Sequence, residues 1–158
     1  MKRSFFFVVS GLIVVIIMAN MSYEQQSLMS FLQDILQDKP FEQWLSQFQF
    51  HYWGGIVSVE TKGYFKFVEF LIRKGTHFFG YGLLALILYS FYNRLKWRFP
   101  MVLSFLSIVV IASLDEYRQS MIPGRTGIVD DVVLDASGAL TCLVIAKLIV
   151  VSYHYVKR

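Results

Sequence analysis

Asp115-Glu116-Tyr117-Arg118-Gln119-Ser120-Met121-Ile122-Pro123-Gly124-Arg125, followed by Asp130, Asp131 and Asp135, is the stretch whose reading decides how this chain folds. An apolar run precedes it, about Pro100 to Leu114, and another follows, about Val132 to Val151. Five carboxylates and two arginines therefore lie between and just inside two segments that approach membrane-crossing length. An ionisable side chain within a span costs about 2.5–3.5 kcal/mol on insertion scales, so such residues are rare and usually functional. The stretch reads as two helices that share a polar end. Pro123-Gly124-Arg125-Thr126-Gly127 reverses the chain between them, a task suited to proline and glycine. Arg125 is placed to lock that turn by reaching Asp115, Glu116 or Asp130.

Composition points the same way. Of the 158 residues 56% are apolar and only 16% charged, and the mean hydropathy is +0.52. Two further apolar segments stand at about Phe5–Met21, opened by Lys2-Arg3, and Thr76–Tyr92. The expectation is an all-α membrane protein with four transmembrane helices, at about 5–21, 76–92, 100–114 and 132–151, forming one domain over 1–158. Pro100 suits a first helical position, where its missing N–H has no partner in any case. The first segment resembles a signal peptide at its start, but Ile17-Met18-Ala19-Asn20-Met21-Ser22 offers no small-x-small cleavage site, so an uncleaved anchor is expected. Cys142, the one cysteine, has no partner for an intrachain disulfide.

Charge distribution sets the orientation. With both termini inside, the inner face holds eight of the fifteen Lys and Arg and no acid. All eleven Asp and Glu and the other seven bases fall outside. The positive-inside rule supports this arrangement. The basic ends suit anionic lipid headgroups, so the net charge of +4 implies membrane lipids as partners and no nucleic acid.

The outer segment, 22–74, is too long for a bare loop. Leu28, Phe31, Leu32, Ile35 and Leu36 recur at helical spacing, which predicts an amphipathic helix on the membrane surface ended by Pro40. Alternation in Phe48–Tyr52 and Val57–Glu60, with Gly54-Gly55 between, predicts a small β-hairpin. Trp44, Tyr52, Trp53, Tyr64 and Phe65 suit headgroup depth. After Gly63 a helix is expected to run unbroken into the second span, where Glu69 and Arg73 are spaced to pair.

Three helix ends converge on one polar depth. Lys74, His77 and Tyr81, spaced i, i+3, i+7, fall within about 60° on one face. Asp115 and Gln119 share a face that Ile111, Ser107 and Ser104 continue inward. Asp131, Asp135 and Gly138 share another. Four readings are open. The cluster is a structural ion-pair set with Lys74, Arg118 and Arg125 as counter-charges. Or it is a pocket for the polar part of an amphiphile, with those same bases as anion contacts. Or it is catalytic, with His77 as acid or base beside Asp115 or Glu116. Or Glu116, Asp130, Asp131 and Asp135 hold Mg²⁺ or Ca²⁺. Acids are common at helix starts, so no metal or other cofactor is expected. No Gly-x-Ser-x-Gly, Cys–His pair or phosphate-cradling loop is present.

Arg73-Lys74-Gly75-Thr76-His77-Phe78-Phe79-Gly80-Tyr81-Gly82-Leu83, Asp115-Glu116-Tyr117-Arg118-Gln119, Pro123-Gly124-Arg125, and Asp131, Asp135 and Gly138 occur in that order. Together with Ser22-Tyr23-Glu24-Gln25-Gln26, this sequence resembles the VanZ-like family of small bacterial membrane proteins. The resemblance marks Lys74, His77, Tyr81, Asp115, Glu116, Gln119, Arg125, Asp131 and Gly138. Two positions depart from the family pattern: Arg118 stands where His is frequent, and Asp135 where Asn is usual. The site is thereby more charged and has no second histidine near Asp115. The resemblance implies a Gram-positive source, a multi-pass position in the cytoplasmic membrane and a cell-envelope role tied to susceptibility to teicoplanin-type lipoglycopeptides. The expected function is binding of an amphiphile, such as a lipid-anchored envelope precursor or a lipoglycopeptide, at Lys74, His77, Tyr81, Asp115, Glu116, Gln119, Arg125, Asp131 and Asp135. The alternative is a membrane-embedded hydrolase or transferase acting on an envelope lipid or wall precursor through His77, Asp115 and Glu116.

Overall fold

The computed structural model describes residues 2–122 and 127–157. The chain is mostly helical, with one two-stranded antiparallel sheet. It divides into two compact units, one of 21–76 and one of 1–20 with 77–158.

The first unit carries the outer segment. After α1 (Lys2–Asn20), Ser22 caps the short α2 (Tyr23–Gln26) with a capping box to Gln25. Then come α3 (Met29–Ile35) and α4 (Glu42–Leu45). The expected amphipathic helix is present but short, and it stops before Pro40. Its C-cap is Leu36, and Lys39 takes a left-handed conformation. Only Leu32 of α3 is buried.

The hairpin pairs β1 (Phe50–Tyr52) with β2 (Gly55–Val57), with His51 opposite Ile56. Its turn is Trp53-Gly54, both at positive φ (49° and 69°), and Gly55 is the first residue of β2. Two left-handed central residues make the two-residue turn that matches strand twist. The expected second strand ends earlier than its alternation suggests, because Ser58 leaves the sheet. Its hydroxyl accepts from the Thr61 N–H and the Thr61 hydroxyl accepts from the Ser58 N–H, which starts α5 (Val59–Lys62). Gly63, at φ 78°, then frees the chain to begin α6 (Tyr64–Arg94), one unbroken helix as expected. Val57, Val59, Tyr64 and Phe67 form the core of this unit, with Tyr52, Phe65 and Phe70 packed on it. The Tyr64 hydroxyl donates to the Pro40 carbonyl at 2.9 Å. Tyr64 is thus a core residue with Tyr52 and Phe65 half-buried against it, whereas Trp44 and Trp53 are exposed.

The second unit packs α1, α6 from His77 onward, α7 (Pro100–Ser120) and α8 (Val129–Val156). Pro100 stands in the first turn of α7, as expected. At the end of α6 the N–H of Trp97 reaches the Tyr92 carbonyl and that of Lys96 reaches Asn93, with Lys96 left-handed. This is a Schellman stop with lysine in place of the usual glycine. The core takes Val8 from α1, Tyr81, Leu84, Ala85 and Leu88 from α6, Ile108 and Ala112 from α7, and Ala139 and Leu143 from α8. A bond of 2.9 Å between the Tyr92 and Ser107 hydroxyls joins α6 to α7.

Two helices, α7 and α8, are long and apolar enough to cross a membrane; four were expected. The apolar part of α1, Phe5–Met18, is short of a crossing. In α6 the polar Thr76 and His77 and three tyrosines dilute an apolar stretch already bounded by Lys74 and Arg94. Burial at the C-terminal end of α7 is inverted relative to a soluble helix. Val102, Leu106, Val110 and Leu114 are exposed, while Asp115, Glu116 and Gln119 are buried. A soluble protein rarely leaves a contiguous apolar face of this kind uncovered; lipid covers it at no cost.

Candidate functional site

The buried face of α7 runs Ser104, Ile108, Ala112, Asp115, Glu116, Gln119. It is apolar in the middle of the helix and polar at its C-terminal end. The matching face of α8 runs from Asp131 and Asp135 through Gly138 and Ala139 to Leu143. The acids therefore continue the same stripes that build the core.

Glycine lets these faces meet. A Cβ at Gly138 would lie 2.1 Å from the Phe78 carbonyl oxygen, so α8 crosses α6 in backbone contact. A Cβ at Gly82 would lie 2.5 Å from Cys142 Sγ and 3.1 Å from the Gly138 carbonyl oxygen. Where α7 gives way to α8, a Cβ at Gly127 would lie 2.3 Å from the Glu116 carbonyl oxygen. Small residues at helix crossings are the usual means of such approach in membrane proteins.

Seven of the nine expected site residues gather in this unit. The Tyr81 hydroxyl donates to Asp115 Oδ2 at 2.8 Å, and Gln119 Nε2 donates to the same oxygen at 2.9 Å. Ile128 N–H donates to Glu116 Oε2 at 2.8 Å. His77 Nδ1 stands 3.4 Å from Asp135 Oδ1, and the His77 ring is stacked on Tyr81 with centroids 6.1 Å apart. The carboxylate beside His77 is thus Asp135, where the expected neighbours were Asp115 and Glu116. Asp131 is buried as well. The charges of Asp115, Asp131 and His77 all act on Glu116, and those of His77, Asp131 and Asp115 act on Asp135, so the groups form one electrostatic cluster.

Some of the acid oxygens are left over. Asp115 Oδ1, Glu116 Oε1 and both Asp135 oxygens are buried without a hydrogen-bond partner among the described residues. Asp135 is wholly buried, at 0% exposure. Native proteins pair the great majority of such groups, so three carboxylates with an oxygen to spare mark a place where donors are missing.

The bases expected as counter-charges are disposed differently. Arg118 is exposed, and its Nε and Nη2 donate to Asn20 Oδ1 at 3.0 and 2.8 Å, tying α7 to α1. It is a clamp between helices rather than an anion contact in the cluster. Lys74 belongs to the other unit, where its Nζ lies 4.7 Å from the Tyr52 ring centroid and 5.8 Å from that of Phe70. Arg125, with the rest of the expected Pro-Gly-Arg turn, lies outside the described residues. Among the described residues no three His, Cys, Asp or Glu are arranged to hold a metal ion.

Asn20, the Ile128 N–H and Gly82 were not singled out from the sequence. A lone asparagine after an apolar run and a backbone N–H carry no pattern to read. Gly82 does carry a signal, since it lies three residues before the core residue Ala85 on a helix already rich in glycine.

A family model described as VanZ/LLP1 matches residues 5–150. No curated protein and no solved structure matches the chain. The match covers both units and every residue of the polar cluster, and the chain belongs to the VanZ-like family of membrane proteins.

Proposed function

We propose that this chain is a multi-pass protein of the bacterial cytoplasmic membrane, with both ends inside, whose polar cluster binds the polar part of an amphiphile. Through that binding it modulates susceptibility to teicoplanin-type lipoglycopeptides. On this reading α7 and α8 cross the membrane, both units serve one functional domain, and the ligand is a lipid-anchored envelope precursor or the lipoglycopeptide itself.

The observation that carries the proposal is the set of buried carboxylates at the end of two membrane-length helices, with oxygens that no described residue satisfies. An ion-pair cluster serving structure alone would satisfy its own members, because an unpaired buried acid costs more than an apolar replacement. A site that waits for a ligand leaves them open.

The test is complementation of a deletion strain with Asp135→Asn, Asp115→Asn and Arg118→Ala, each quantified in the membrane and challenged with a lipoglycopeptide. Loss of protection is expected for the two Asp variants at normal protein level, with Arg118→Ala retaining it. Protection that simply follows protein level in all three would overturn the proposal.

A second reading, a hydrolase or transferase acting on an envelope lipid or wall precursor, is favoured by the approach of His77 to Asp135. A carboxylate that orients an imidazole is the usual support for general acid–base work. It requires turnover of an envelope lipid by the purified protein, and abolition of that turnover by His77→Ala.

A further inference from the structure

We infer that the polar cluster takes a primary ammonium group, carried on a long apolar chain, and not a phosphate or other anion. The inference rests on the amphiphile-binding reading above and names the headgroup class.

Hydrogen-bond accounting leads there. Asp115 Oδ2 already accepts two bonds, from Tyr81 and Gln119, while Oδ1 accepts none. Glu116 Oε2 accepts from Ile128 while Oε1 accepts none. Asp135 Oδ1 stands 3.4 Å from His77 Nδ1, and neither Asp135 oxygen accepts a hydrogen bond among the described residues. Each of these open carboxylate oxygens can accept from a donor. A phosphate or carboxylate offers acceptors only and would bring further negative charge among Asp115, Glu116, Asp131 and Asp135. A primary ammonium offers three N–H donors and a positive charge. Buried, charge-assisted bonds of this type are about twice as strong as neutral ones.

The bases point the same way. Arg118, the described arginine of this helix end, is exposed and engaged with Asn20. The Lys74 ammonium lies over two aromatic rings of the other unit. The apolar chain of the ligand has a surface to follow, since Val110 and Leu114 on α7 are exposed along the membrane-length part of that helix. Two sources share this chemistry: an amine-bearing membrane lipid and an amine-bearing lipoglycopeptide.

The experiment uses the full chain in phosphatidylcholine nanodiscs. It is titrated with dodecylammonium, dodecyltrimethylammonium and dodecyl phosphate, and the rise in thermal stability is read as binding. Dodecylammonium should saturate and bind about tenfold or more tightly than the trimethyl compound, which has the charge but no N–H. Dodecyl phosphate should not saturate. Asp135→Asn and Glu116→Gln should each weaken dodecylammonium by about tenfold. The comparison of probes on the unsubstituted protein stands even if a variant fails to fold. Displacement of dodecylammonium by vesicles containing a lysyl-headgroup lipid identifies a membrane lipid as the source. Displacement by a lipoglycopeptide, abolished when its amine is acetylated, identifies the drug. If dodecyl phosphate binds as well as or better than dodecylammonium, the ammonium inference falls and amphiphile binding stands. If no probe saturates, both fall.

Discussion

Replacing Gly138 with alanine tests the geometry on which the polar cluster depends. The new methyl group would lie 2.1 Å from the Phe78 carbonyl oxygen, 2.8 Å from its carbonyl carbon and 3.0 Å from its Cα. Ordinary contact begins near 3.4 Å, so α6 and α8 must part by about 1.3 Å, the difference between that distance and 2.1 Å. The atoms in the way are backbone, which no rotamer change can move. Overpacking of this kind costs about 1–3 kcal/mol, and the better helix propensity of alanine returns about 1 kcal/mol. A net loss of up to about 2 kcal/mol is expected, or up to roughly 8 °C in Tm for a chain of this size. Phe78 follows His77 and Gly138 lies one turn beyond Asp135, so the parting also opens the 3.4 Å approach between those side chains. The assay is thermal unfolding of the full chain in detergent, read by size-exclusion chromatography. Gly80→Ala is the control, because a Cβ there has nothing within 4 Å; it should leave Tm unchanged or raise it. Equal Tm values for Gly138→Ala and Gly80→Ala would refute the close crossing.

Four further outcomes follow from the same structure. Tyr81→Phe removes the donor to buried Asp115 Oδ2 and should cost about 1–3 kcal/mol by the same unfolding assay, more than Tyr92→Phe, whose partner Ser107 is only half-buried. Gly82→Ala should be milder than Gly138→Ala, because its tightest contact is the movable Cys142 side chain, and Cys142→Ala in the same chain should recover part of the loss. Arg118→Ala and Asn20→Ala should each cost under about 1 kcal/mol, and the double variant no more than either alone, since both remove one exposed bridge. Ser58→Ala removes a capping box and should cost about 1 kcal/mol, seen as faster amide exchange in α5 and the hairpin with no change in α7 or α8.

Long-range features of the helices were legible from local sequence. Pro100 opens α7, Gly63 precedes the unbroken α6, and the apolar runs of α7 and α8 form helices that leave large apolar side chains exposed. The hairpin was legible too, but its turn was not. Gly54-Gly55 is the obvious dipeptide, yet Trp53 accepts a left-handed conformation so that Gly55 can pair with Tyr52. The strand expected to run on past Val57 lost to a capping box, because Ser58 and Thr61 satisfy each other's backbone N–H groups more locally than a third pair of strand residues could. The aromatics of the outer segment divided by packing: Tyr64 is buried in the core of its unit, Tyr52 and Phe65 are half-buried against it, and Trp44 and Trp53 are exposed.

At the polar cluster the residue types were readable and their partners were not. Acids within membrane-length apolar runs announce a site, because their insertion cost has to be met by something. Helical spacing alone put Asp115 with Gln119, and Asp131 with Asp135. It did not set Asp135 beside His77, or turn Arg118 out to Asn20. Those outcomes depend on how far each helix is rotated and how closely it crosses its neighbour, which backbone contact at Gly138 and Gly82 decides. By itself the sequence determined where the long helices lie, which of their segments are long and apolar, and which residues are costly to bury. Hydropathy and turn chemistry act over a few residues and need no partner. Only the tertiary structure decided which donors reach which carboxylate oxygens and which oxygens stay open, because hydrogen bonds between helices are set within tenths of an ångström by packing that no single segment contains.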